Sequence, residues 1–506
     1  MLVTPDFEAF ARAYGAGEAS ALRLTLLGDL LTPVAAFLRL RHGRRGAAFL
    51  LESVEGGAVR GRFSMIGLDP DLVWRCEGGA ASLNREARHD PGAFILERRP
   101  PLESLRALIA ESALPLEDDM PPMAAGLFGY LGYDMVREME RLPEPNPDAL
   151  GVPDAIMIRP TVMVVFDAVR DEISLITPVR PQAGVAAKAA YESGLARIEE
   201  VAFALERPLP LDDRSDPAAI RFEPPVSNTS PEEFEAMVAR AKDYIRAGDI
   251  FQVVLSQRFE SPFPLPAFAL YRSLRRVNPA PFLCYLDFES FQIVCSSPEI
   301  LVRVRDGKVT IRPIAGTRPR GATPAEDRAH AESLLADPKE RAEHLMLLDL
   351  GRNDVGRVSA MGSVEVTDSF FLEYYSQVMH IVSNVEGRLD PRHDGLQALV
   401  AGFPAGTVSG APKVRAMEII DELEKDKRGP YAGCIGYFGA NGEMDTCIVL
   451  RTALVKDGRM AVQAGAGIVY DSDPASEQQE CVNKAKALFR AAEDAVRFAS
   501  RARFGQ

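Results

Sequence analysis

The chain has 506 residues, 47% of them hydrophobic and 26% charged, as in an ordinary soluble globular protein of two to four domains. Its formal net charge of −14 repels phosphate backbones and argues against nucleic acid as a partner. Three further features predict a cytoplasmic protein with reduced thiols and no membrane association: no basic-then-apolar leader, no bilayer-length apolar run, and six scattered cysteines without a C-x-x-C pair.

In chain order, a Pro-rich loop over residues 142–148 precedes a strand predicted at Thr161–Phe166. From Pro208 to Pro225 the composition turns to Pro and Asp without periodicity, which predicts a linker. Ser230, Pro231 and Glu233 then announce a helix start, Phe234, Met237, Val238, Ala241 and Ile245 follow helical spacing, and Gly248 closes it. Phe251–Leu255 reads as a buried strand, with further strands at Ile293–Cys295, Lys308–Ile314, Ile448–Leu454 and Met460–Ala464. Helices are predicted at Pro338–Leu350 and Ala475–Phe498. Mixed strands and helices predict an α+β fold of large, mostly antiparallel sheets flanked by helices.

Glu340 and Glu343 are three apart and share a helix face, as do Glu477 and Glu480, with Lys484 one turn on. One such E-x-x-E is as compatible with a solvated acidic face. Two, on separate helices, suit Mg²⁺, which takes one or two protein carboxylates and fills its remaining positions with substrate oxygens and water. No His/Cys cluster has the spacing of a zinc site. Glycine-punctuated loops at 312–321, 403–413 and 463–467 would let backbone approach an anionic ligand, or are simply tight turns. Arg451 stands mid-strand among apolar residues, where it needs an anionic partner, structural or bound.

Several runs resemble the chorismate-utilising enzymes, and most of all anthranilate synthase component I. They are Ala241–Gln257, Ser297-Pro298-Glu299, the P-I-A-G-T loop at 313–317, Glu343–Asp349, Gly351-Arg352-Asn353-Asp354, the G-T-V-S-G-A-P-K loop at 406–413 and the Gly465–Gly467 turn. Leu50-Leu51-Glu52-Ser53 and Gly129–Asp134 match as well. The resemblance implies that fold, with an N-terminal tryptophan-binding regulatory part at 1–207, a linker at 208–226 and a C-terminal chorismate-binding catalytic part at 227–506. It implies Mg²⁺ ligands Glu343 and Glu480, and active-site positions Glu340, His380 and Thr407. Chorismate contacts would come from Gly316, Thr317, Tyr431, Arg451, Gly465, Ala466 and Gly467, with Lys484 as a further one. Ser53, Pro281, Phe282 and Leu283 match segments that bind tryptophan as a feedback inhibitor.

The implied reaction is Mg²⁺-dependent amination of chorismate by ammonia, then loss of pyruvate to give anthranilate, the first committed step of tryptophan biosynthesis. Glu340 is the expected general acid for the departing C4 hydroxyl, and His380 assists removal of the C2 proton. Relatives that make aminodeoxychorismate place Lys at position 315, and isochorismate and salicylate synthases place Lys at 252; this chain has Ala315 and Gln252. Aminodeoxyisochorismate synthase and a non-catalytic tryptophan sensor are the remaining alternatives. No glutaminase elbow with a downstream histidine is present, so ammonia is expected from a separate glutamine amidotransferase subunit in a hetero-oligomer.

Overall fold

The computed structural model describes residues 2–55, 59–210, 222–375 and 378–499. Its strands form one hydrogen-bonded network of 23 strands, α+β in class, with antiparallel pairings such as Gln252–Pro262 on Arg459–Ile468. Antiparallel neighbours leave each strand one face for the core and one for helices or solvent. Residues 211–221 of the predicted linker lie outside the described residues; just beyond them, Val226–Ser227 pairs with Phe259 and Glu260.

Strands from before and after the linker pair directly. Phe282–Asp287 hydrogen-bonds to Ala48–Glu55, with Leu283 opposite Glu52. Cys434–Gly439 pairs with Gly126–Leu131 along its whole length. The sheet therefore closes around an interior shared by both parts, where Phe49 stacks on Phe128 and Phe128 packs on Tyr437. A second core lies outside the sheet, under the helices Pro33–Arg41, Ala187–Glu206, Ala267–Val277 and Pro474–Ala499.

The predicted helix start at Ser230 forms a capping box with Glu233, and the helix Pro231–Ala247 ends at Gly248 in the left-handed region. The helix predicted at Pro338–Leu350 runs on to Gly356, and that at Ala475–Phe498 spans Pro474–Ala499. Two strands differ from their predictions. Lys308–Ile314 is divided at Arg312-Pro313 into Lys308–Ile311 and Ile314–Pro319, where the proline has no N–H to give the ladder. Ile448–Leu454 is divided into Met444–Ile448 and Thr452–Lys456, because Arg451 takes φ +49° and breaks the extended path.

Candidate active site

A cavity of about 830 Å³ opens where the helices Pro338–Gly356 and Pro474–Ala499 face the strands Gln252–Pro262 and Arg459–Ile468. Asp337 caps the first helix by accepting from the Lys339 and Glu340 amides, which places Glu340 and Glu343 one turn apart on the cavity wall. The second helix contributes Glu477, Glu480, Asn483 and Lys484. Glu477, left unassigned by the sequence, is buried, and burial raises its carboxyl above the usual range.

Burial also raises Glu343, and the neighbouring Glu340 and Glu480 charges push the same way. The Gln252 Nε2 donates to Glu343 at 3.2 Å, while the Gln252 Oε1 is buried without a partner. Lys484 bridges Glu480 at 2.6 Å and the Gly465 carbonyl at 2.9 Å. No three carboxylates among the described residues come within 4.8 Å of one another. A half-buried glutamate with like-charged neighbours and an open side to the cavity fits a hard cation that draws its remaining ligands from substrate and water.

The opposite wall is cationic. Arg451 lines the cavity, and among the described residues its guanidinium has no ion-pair or hydrogen-bond partner. The left-handed turn that interrupts the strand puts Arg451 on the cavity wall beside Tyr431. An arginine without a protein counterion in a cavity is a receptor for a carboxylate or phosphate.

Gly316 has φ +68°, in the bulge where the register of Ile314–Pro319 against Val378–Arg388 shifts. A Cβ there would sit 3.1 Å from Glu340 Oε2. Its carbonyl accepts from His380 Nδ1 at 2.8 Å, with Thr317 Oγ1 3.2 Å from the same nitrogen. That contact fixes the Nδ1–H tautomer and leaves Nε2 as the acceptor. Burial, aided by the Arg451 and Lys484 charges, pushes His380 down to about 4, so the ring is neutral.

Glu340 and Glu299 sit in opposite environments. Glu340 is ion-paired to Arg318 at 3.0 Å, and Arg318 also holds Asp337 at 2.8 Å. Glu299 is buried on the cavity wall, and its Oε1 accepts from Thr407 Oγ1 at 2.8 Å. Burial pushes it up to about 8, against the pull of Thr407, the Ile314 amide and Arg451. Burial thus favours the protonated form of Glu299, while Glu340 is held by Arg318. The sequence displayed Glu299 within Ser297-Pro298-Glu299 but carried no sign of its burial.

Gly465 and Gly467 form the floor, in the last four residues of the strand Arg459–Ile468. A Cβ at Gly467 would lie 2.4 Å from Gln252 Nε2. Ala466, between them, alternates to the other face and is buried in the core, so only its backbone belongs to this wall. Away from the cavity, Ser53 donates to the Phe63 carbonyl at 3.4 Å, next to the Glu52–Leu283 pair. Pro281, Phe282 and Leu283 are thereby brought beside Ser53, and Asn278, three residues before Pro281, lines the cavity.

The chorismate binding enzyme model matches residues 53–490. The chain belongs to the chorismate binding enzyme family.

Members similar to this chain include anthranilate synthase component 1 of Cereibacter sphaeroides, 56% identical over 497 residues, covering 98% of this chain and 99% of that protein. The Pseudomonas putida protein of the same description is 47% identical over 92% of this chain and 93% of its own. Among solved structures, anthranilate synthase component I of Streptococcus pneumoniae superposes with a TM-score of 0.75 at 40% identity, covering 92% of this chain and 99% of that one. The menaquinone-specific isochorismate synthase of Escherichia coli shares the fold, with a TM-score of 0.70 at 17% identity over 96% and 98% of the two chains. This family member is thus an enzyme acting on chorismate. No helix among its described residues is long and apolar enough to cross a membrane.

Proposed function

We propose that this chain is the chorismate-aminating subunit of anthranilate synthase, converting chorismate and ammonia to anthranilate, pyruvate and water. The carrying observation is the pairing of Glu343 and Glu480 on two facing helices with an Arg451 across the cavity that has no ion pair or hydrogen bond among the described residues. Chorismate has two carboxylates, one on the ring and one on the enolpyruvyl ether, which such a cavity can hold at its two ends. Arg451 and Tyr431 would anchor the enolpyruvyl carboxylate. Glu343 and Glu480 would hold Mg²⁺, which supplies Lewis-acid polarisation of the ring carboxylate when bound.

The protein's own groups account for the proton transfers. Glu299 donates its proton to the C4 hydroxyl as ammonia bonds to C2 and water leaves. Gln252 Oε1, buried and without a hydrogen-bond partner, is an acceptor for an N–H of the incoming ammonia. His380 Nε2 then takes the C2 proton as the enolpyruvyl group leaves as the enolate of pyruvate and the ring becomes aromatic, and the enolate takes that proton on its methylene carbon to give pyruvate. Neither Ala315 nor Gln252 offers a lysine amine to the cavity, which supports ammonia over a covalent lysine or an activated water as nucleophile.

We further propose that ammonia comes from a separate glutamine amidotransferase subunit in a hetero-oligomer, that the enzyme works in the cytoplasm, and that tryptophan inhibits it at Ser53, Pro281, Phe282 and Leu283. The described cysteines are all free, as a reducing compartment would keep them. The short path from Pro281 to Asn278 supports coupling between inhibitor and cavity.

Product identification tests the reading. The purified chain with chorismate, Mg²⁺ and an ammonium salt should give fluorescent anthranilate and pyruvate, and glutamine should replace ammonium only after an amidotransferase is added. A non-aromatic aminated product would make it an aminodeoxyisochorismate synthase; no turnover despite tryptophan binding would make it a sensor.

A further inference from the structure

Three thiols meet inside the sheet, away from the chorismate cavity. Cys284 and Cys295 are direct partners across the antiparallel strands Phe282–Asp287 and Gln292–Ser297, and Cys447 comes from Met444–Ile448. Their sulfurs all lie within 4.8 Å of one another. All three are buried in the apolar core that includes Leu51, Ile435, Val449 and Leu454. Among the described residues this is the one group of three or more His, Cys, Asp or Glu side chains close enough to share a central atom.

The donor set is all sulfur and, among the described residues, has no fourth His, Cys, Asp or Glu member. Zinc calls for four ligands, and monovalent copper on three thiolates would bury a net negative charge among aliphatic side chains. A trivalent centre on three thiolates is neutral and suits an apolar core. We propose that Cys284, Cys295 and Cys447 form a three-thiol site for trivalent arsenic, taken up as arsenous acid.

The exchange balances without an oxidant. Three As–O bonds break and three As–S bonds form, and each thiol proton leaves with a hydroxyl as water. Arsenic stays trivalent. Sulfurs bound at about 2.3 Å to one centre lie about 4 Å apart or closer, a spacing within reach of three thiols that already lie within 4.8 Å of one another. Because the thiols are buried, capture waits on local opening and is slow.

Capture would also reach the cavity. Cys295 Sγ lies 3.8 Å from the Leu450 carbonyl, and both Leu450 and Arg451 line the cavity. Fixing Cys295 on a shared centre restrains this segment and should raise KM for chorismate more than it lowers kcat.

The test is native intact-mass spectrometry of the folded chain after incubation with arsenite. One adduct per chain is expected, heavier by one arsenic less three hydrogens. Cys284→Ala, Cys295→Ala and Cys447→Ala should each weaken uptake by more than about 100-fold, whereas Cys76→Ala should not change it. Thermal melts of each variant without arsenite establish that it is folded. The proposal is overturned by no adduct on the folded wild type, by an adduct that survives any one of the three substitutions, or by a loss of two hydrogens instead of three.

Discussion

Two glutamates of the cavity wall carry the same functional group into different surroundings. Glu340 is held by Arg318, whereas Glu299 is enclosed and keeps its proton to about pH 8. Glu299→Gln should lower kcat on the order of 10²- to 10⁴-fold, the usual value of a positioned acid, and leave chorismate binding nearly intact. Glu340→Gln should cost less. The wild-type rate should fall above about pH 8, even as rising pH supplies more free ammonia, and a rate profile at fixed free ammonia separates the two effects. Stability follows the same group. Between the ordinary carboxyl value of 4.5 and about 8, the folded chain holds a proton on Glu299 that the unfolded chain has released. Folding stability therefore declines as pH rises through that window. In Glu299→Gln this slope is absent, so from about pH 6 to about pH 8 its Tm should drop less than the wild type's.

At the scale of helices and strands, the glycine floor sets the position of Gln252. Gly467→Ala would drive a Cβ into Gln252 Nε2 and dislodge it from Glu343. The Mg²⁺ concentration for half-maximal rate should rise by about tenfold, the usual loss when a residue behind a ligand is displaced, with little change in Tm. The two E-x-x-E helices, the capping box and the glycine loops were legible because helix faces and caps are written within a few residues. Arg451 was legible as an arginine in need of an anion. Its departure from the strand was not, since a left-handed φ at a non-glycine residue has no local signature. Nor was the thiol cluster: residues 284, 295 and 447 meet through sheet register, which pairs strands far apart in sequence.

At the scale of the whole molecule, the two parts of the chain are joined by a buried charge pair as well as by strands. Glu52, in the strand Ala48–Glu55, accepts from Arg275 Nε at 2.6 Å and Nη2 at 2.8 Å, and from Tyr271 Oη at 2.6 Å. Tyr271 and Arg275 lie one turn apart on the helix Ala267–Val277. Glu52→Ala would strand a half-buried arginine and should cost roughly 2–3 kcal/mol, less than for a fully buried pair, read as a lower midpoint in urea with the slope unchanged. Ser53→Phe, on the neighbouring residue, should instead abolish tryptophan inhibition and leave turnover without tryptophan unaltered. Anthranilate formation against tryptophan concentration checks this, and equal sensitivity of wild type and variant would refute the inhibitor site.

The shared sheet also limits what kinds of genetic change could relieve the proposed inhibition by tryptophan. A truncation that removed the first 207 residues would delete the hydrogen-bonding neighbours of Phe282–Asp287 and Cys434–Gly439 and leave two raw strand edges on a hydrophobic interior. Resistance to a toxic tryptophan analogue should therefore arise in a culture through single-codon changes around Ser53 and Pro281, and not through deletions, frameshifts or early restarts of translation. Sequencing resistant isolates would read this restriction directly, as a spectrum of missense alleles confined to two short stretches of the gene.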